Sequence, residues 1–416
     1  MTAAKTTTRR RTRIEPLPAP APAGWSLHEK IDVCRGLFAA LVVMAHSLEI
    51  AWGIHREAMM DGPRLWRAVV FGVFGTGTYY VMGFFVLSGY CIQLSVARSM
   101  DADRFPLQRY TIARLSRILP LYYLALLATV PIEWLIAGAR PVEWPHGLDL
   151  PTFLGQIVLI QNMTQQTFGS FASSWSITNE VFYYLFYGVL AWLLAGRRAQ
   201  PAWVGMGLCV AFAAAGQMLY VTVGRHPFVY RTGMLFGLGT LWFQGVLLAV
   251  YGPSLIERAW VRRVAACWPL LFVASVLWKT FDMPANGFYP LAGGAFTLML
   301  LDLLKTPTVA VPASAGLWRR RLVTTLGLSS YPMYLFHGPL LMLAGSCILR
   351  SGLIADWRLT WAVLMLLGIT SGLALGWLLE RPLMDWRAGL LRRLNGRGLA
   401  LGPFHRRIPA TGGQKP

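Results

Sequence analysis

Charge is scarce in this sequence, and negative charge scarcest. Only 13% of the 416 residues are charged, with 18 acidic against 38 basic. A water-soluble domain carries about a quarter charged residues, so a soluble globular fold is excluded. Cysteine is scarce too. Cys34, Cys91, Cys209, Cys267 and Cys347 lie in or beside apolar runs, with no C-x-x-C and no metal-ligand spacing. They read as small buried hydrophobes, and no metal is expected. No internal repeat is visible.

What fills the chain is hydrocarbon. Hydrophobic residues make up 55%, and mean hydropathy is +0.49. Apolar runs of about 20 residues recur, each long enough to cross a bilayer. The expected fold class is an all-α polytopic integral membrane protein with ten transmembrane helices in one bundle. The runs lie near 33–53, 72–97, 111–137, 174–195, 202–223, 232–251, 262–279, 287–304, 322–349 and 359–379. Segment 138–173 is too apolar for a plain loop, and its piece TFLGQIVLIQN (152–162) reads as re-entrant or interfacial. Gly233 and Gly237 have the spacing of a helix-packing contact.

The net charge is +20. Nucleic acid is not the expected partner, because the basic residues sit between apolar runs, where topology signals belong. With the N-terminus inside, 28 Lys and Arg fall on the inner side and nine on the outer, leaving Arg35 within a span. Both termini are therefore expected in the cytoplasm, with membrane lipids as neighbours. Residues 1–26, basic and then Pro-Ala-rich, read as a disordered tail and not as a cleaved signal. Residues 27–385 form the membrane domain, and 386–416 a basic cytoplasmic tail.

Ionisable residues at membrane depth are functional-site hypotheses by default. CRGLFAALVVMAHSLEIAW (34–52) carries three: Arg35, His46 and Glu49. Eleven residues complete three helical turns with about 20° left over, so Arg35 and His46 share a face roughly 16 Å apart along the axis. Asp32 and Glu49 each lie one turn away as partners. Arg35 reads either as a headgroup anchor or as a cationic site. His46 reads either as a buried interhelical donor or as a proton acceptor. Glu180, in SSWSITNEVFYY (173–184), is expected at the depth of His46, as a structural carboxyl or as the group that orients the imidazole. Arg114 and Arg117, in RLSR, share one helix face. They suit either a topology anchor or a phosphate clamp.

These blocks resemble the acyltransferase family 3 membrane proteins over roughly residues 30–385. IDVCRGLFAALVVMAH is similar to that family's first helix. FFVLSGY, RLSR, LIQN, SSWSITNE, SSYPMYLFH and LERP follow in order. The resemblance implies an acyl-CoA donor, usually acetyl-CoA, reached from the cytoplasm. It implies a carbohydrate or glycolipid acceptor hydroxyl at or beyond the outer side, in a bacterial inner (plasma) membrane. It implies catalytic roles for His46, Glu180 and Arg35 and donor binding by Arg35, Arg114 and Arg117. Ser88, Trp175, Ser176 and His337 stand within the matching blocks as supporting residues. Cys34 and SITNE depart from the usual pattern without removing an ionisable group. A C-terminal hydrolase-like domain is common in the family, but only about 35 residues follow the last helix here, so the membrane module alone is expected. His46 is expected as general base or as acyl carrier. A transporter or flippase of lipid-linked sugars is the alternative; such folds often show inverted repeats. Acceptor identity and oligomeric state are not legible in the sequence.

Overall fold

The computed structural model describes residues 25–395, apart from 62, 101–103, 145, 165, 198, 282, 284 and 306–314. Residues 1–24 and 396–416, which hold most of the two expected tails, lie outside the described residues. The chain runs through α1 (Leu27–Ile54), α2 (Arg56–Met60), α3 (Arg64–Phe74), α4 (Thr78–Met100) and α5 (Leu107–Leu135). Next come β1 (His146–Gly147), α6 (Leu150–Ile157), α7 (Gln161–Thr164), β2 (Thr167–Phe168) and α8 (Ser174–Leu193). Then follow α9 (Gln200–Thr222), α10 (Pro227–Leu255), α11 (Ala259–Ala266), α12 (Trp268–Thr280) and α13 (Ala285–Leu303). The chain continues through α14 (Ala315–Ser351), α15 (Trp357–Leu375), a π-helical turn (Gly376–Glu380) and α16 (Arg381–Asn395). Residues 386–395 of the expected C-terminal tail are thus helical.

Eight helical stretches among the described residues are long and apolar enough to cross a membrane. Two runs expected to be continuous are interrupted. Gly75–Gly77 separates α3 from α4. Cys267 separates α11 from α12, where Pro269 follows at the start of the new helix and cannot donate to the preceding turn. α8 is not among the eight, because SSWSITNE makes its first turns polar. α14, at 37 residues, is about 55 Å long, well beyond a hydrocarbon core of about 30 Å.

α1 begins with a capping box. Ser26 Oγ accepts from the Glu29 N–H at 3.2 Å, and Glu29 Oε2 accepts from the Ser26 N–H at 2.8 Å. Such a cap contributes about 1 kcal/mol. α1 then packs against α14 and α15, while α4 packs against α10 and α13. Gly89 of α4 abuts the Trp242 carbonyl, and Gly245 of α10 abuts the Val86 carbonyl. A side chain at either would hold these backbones apart, as small-residue packing in membranes requires. Gly233 performs a similar service against Gly216 of α9. Large hydrophobics face outward around the bundle, including Trp134 at 89% and Leu270 at 72% exposure. That surface needs lipid to cover it.

Segment 138–173 folds back on the bundle instead of spanning it. β1 and β2 form a two-residue parallel pair. Leu159 takes a left-handed backbone (φ 61°), uncommon for a bulky residue, and turns the chain into α7. Buried Gln161 donates to Tyr122 Oη at 3.1 Å and to Thr178 Oγ1. Asn162 donates to Asn179 Oδ1 at 2.6 Å. LIQN is thereby fastened to the first turns of α8. Buried Glu133 accepts from the Ser170 N–H at 2.6 Å and pairs with Arg140, pinning the other end.

Candidate active site

Two cavities lie back to back inside the bundle and share Val81 and Tyr334 in their walls. The first, of about 240 Å³, is lined by Arg35, Arg114, Arg117 and Arg387; we term it the arginine chamber. The second, of about 380 Å³, is lined by His46, Glu49, Trp144, Trp175 and Arg231; we term it the histidine chamber. Arg35 and His46 both project inward from α1, one into each chamber.

Three arginines of the first chamber are held in place by hydrogen bonds or ion pairs. Arg114 donates to Ser95 Oγ at 2.7 Å and lies over the Tyr110 ring at 5.5 Å. Arg117 pairs with Glu380 and lies over the Tyr331 ring at 5.2 Å. Arg387, on α16, donates to the Ala113 carbonyl at 2.8 Å through one of its terminal nitrogens. Arg35 lines the same cavity as Glu180. Among the described residues, buried Arg114 Nε has no hydrogen-bond partner. Such a donor costs free energy unless a ligand satisfies it. Four guanidiniums and an unmet donor around one cavity fit a phosphorylated ligand, whose oxygens match the arginine fork.

Glu180 belongs to this chamber too, which corrects the sequence expectation that it orients His46. Its Oε1 accepts from Ser88 Oγ and from Tyr184 Oη, each at 2.5 Å. Ser88 Oγ in turn accepts from Trp242 Nε1 at 3.2 Å. The first turns of α8 point Glu180 toward α4 and α10, and similar depth on two helices does not fix direction.

In the second chamber the imidazole finds its carboxylate on its own helix. His46 Nδ1 and Glu49 Oε2 are 2.8 Å apart. A hydrogen bond from Nδ1–H to the carboxylate leaves Nε2 with its lone pair. Nε2 lies against Gly77 in the break before α4, where a Cβ would stand 3.3 Å from it. The missing side chain leaves room at the basic nitrogen. His337 stacks on His46 with ring centroids 5.1 Å apart, and Trp144 meets His46 edge-on at 5.2 Å. His337 Nδ1 donates to the Tyr334 carbonyl at 2.7 Å, which fixes its ring.

The supporting residues divide between the chambers. Ser176 lines the arginine chamber and shares a 2.6 Å hydrogen bond with Tyr334 Oη, so it holds the tyrosine that both chambers share. Trp175 lines the histidine chamber. Ser173 lines it too and donates to the Leu335 carbonyl at 3.5 Å. Pro339 within α14 has no N–H for that carbonyl.

Sequence reasoning did not single out Arg387, Arg231, Trp144, Tyr334 or Gly77. Arg387 carried a signal: it stands seven residues, two helical turns, after Glu380 of LERP. Arg231 carried none, since only the packing of α10 brings it beside His46.

The family model described as an acyltransferase domain matches residues 28–381 of this chain. Searches of curated proteins and of solved structures give no match. The match covers most of the chain and includes both chambers except Arg387. With its long apolar helices, the chain belongs to acyltransferase family 3 and is a membrane acyltransferase.

Proposed function

We propose that this chain moves an acyl group, acetyl in the first instance, from cytoplasmic acyl-CoA to a hydroxyl of a carbohydrate or glycolipid acceptor on the outer side of a bacterial inner membrane. The observation that carries this reading is the pair of chambers that share Val81 and Tyr334 in their walls, one rich in guanidinium groups and one holding an imidazole whose Nδ1 is tied to Glu49. In this reading α8 and α13 also cross, giving ten passes, with the arginine chamber and both termini toward the cytoplasm. The bias of basic residues supports this orientation.

In this reading Arg114, Arg117, Arg35 and Arg387 bind the donor phosphates, and Glu180 balances their charge. The thioester reaches past Tyr334 toward His46. His46 Nε2 takes the proton of the acceptor hydroxyl as that oxygen attacks the thioester carbonyl. The C–S bond breaks, and the proton passes to the departing sulfur. Glu49 holds the ring in the required tautomer and stabilises its charged form. An acyl-histidine would place the same Nε2 on the carbonyl in a first step. The test is CoA release from acetyl-CoA by the purified protein with sugar acceptors. Release that depends on His46 supports the reading. Sugar-lipid movement across proteoliposomes without CoA release would instead favour a transporter.

A further inference from the structure

Arg231 stands near the start of α10 and lines the histidine chamber beside Thr78, Asn162, Gln166 and Trp175. Among the described residues no carboxylate pairs with it, and the chamber's Glu49 is already engaged by His46. A guanidinium in a partly enclosed chamber loses hydration, and an opposite charge offsets that loss. Among the described residues none is supplied within pairing distance. The rest of the lining suits a sugar. Trp144 and Trp175 offer ring faces and edges, while Asn162, Gln166 and Thr78 offer amides and a hydroxyl. The guanidinium fork matches a carboxylate or phosphate through two parallel bonds.

We propose that Arg231 recognises an acidic acceptor, a sugar bearing a carboxylate or a phosphate, and so sets which glycan reaches His46. The identity of the reaction rests on the acyl-transfer reading above; the binding preference does not. Arg231 is a specificity residue here, distinct from the His46–Glu49 pair that handles the proton.

The test uses the full chain purified in detergent. Tryptophan fluorescence, which Trp144 and Trp175 make sensitive to the chamber, is titrated with methyl glucuronide, glucose 6-phosphate and methyl glucoside. At least one acidic probe is expected to bind about tenfold more tightly than the neutral one. The arm that gains names the anion as carboxylate or phosphate. Arg231→Gln is expected to bring the preference below about twofold, and Arg231→Lys to keep part of it because the charge remains without the fork. Equal binding of all three probes, binding of none, or a preference that survives Arg231→Gln overturns the proposal. If Arg231→Gln does not fold, the Arg231→Lys arm decides on the same terms: an undiminished preference overturns the proposal. With an acceptor and acetyl-CoA, Arg231→Gln is expected to raise KM for acidic acceptors and leave kcat within about twofold. A uniform fall in kcat with acidic and neutral acceptors overturns the proposal and moves Arg231 to the acyl oxygen. CoA release reads the reaction separately: no release with the acid preference intact retires acyl transfer and keeps the binding site.

Discussion

The arginine chamber and the histidine chamber meet at Val81 and Tyr334 but are assembled differently. The arginine chamber draws its cations from α1, α5 and α16, and three of the four are braced by another part of the bundle: Arg114 by Ser95, Arg117 by Glu380, Arg387 by the Ala113 carbonyl. The histidine chamber rests on one imidazole and one carboxylate, three residues apart on a single helix. The first design spreads its function over several like charges; the second concentrates it. Losing one member should therefore cost little in the first and much in the second.

Four substitutions would break or sharpen that contrast. The largest effect is expected for His46→Ala, a fall in transfer of about 10² to 10⁴ with membrane expression intact. Steady-state CoA release measures it, and wild-type turnover would end the catalytic assignment. Next comes Glu49→Gln. A hydrogen bond to a charged group is worth about 1.5–3 kcal/mol, so kcat should drop roughly ten- to 150-fold while donor KM holds. A loss in Glu180→Gln that matched it in kcat would restore Glu180 as the partner of His46. The smallest effect is expected for Arg114→Gln: donor KM up about tenfold through one lost charge-assisted bond, with kcat nearly unchanged. Should this single change abolish turnover, the arginines act at the reacting atoms and not as a shared clamp.

The two chambers also differ in how far the sequence reveals them. RLSR and the Arg35–His46 spacing are readable because a helix has a fixed period, and Glu49 follows from the same period one turn on. Glu180 was misdirected for a related reason: period and depth say how far along a helix a residue lies, not which neighbour it faces. Ser88 and Tyr184 decide that. The interruption at Gly75–Gly77 is another such limit. As apolar sequence it continues the run, yet it breaks the helix and clears the space beside His46 Nε2.

The sequence by itself determined the membrane setting, the apolar helices, the cationic and imidazole residues of α1 and the family blocks, because hydropathy and helical period are local properties of the chain. Tertiary structure alone decided that two chambers exist, that Tyr334 belongs to both, that His337 stacks on His46, and that Arg231 and Arg387 join residues far from them in sequence. Those outcomes depend on which helix faces meet. Side-chain volumes and backbone approaches such as Gly89 against Trp242 set those meetings, and no single stretch of sequence encodes them.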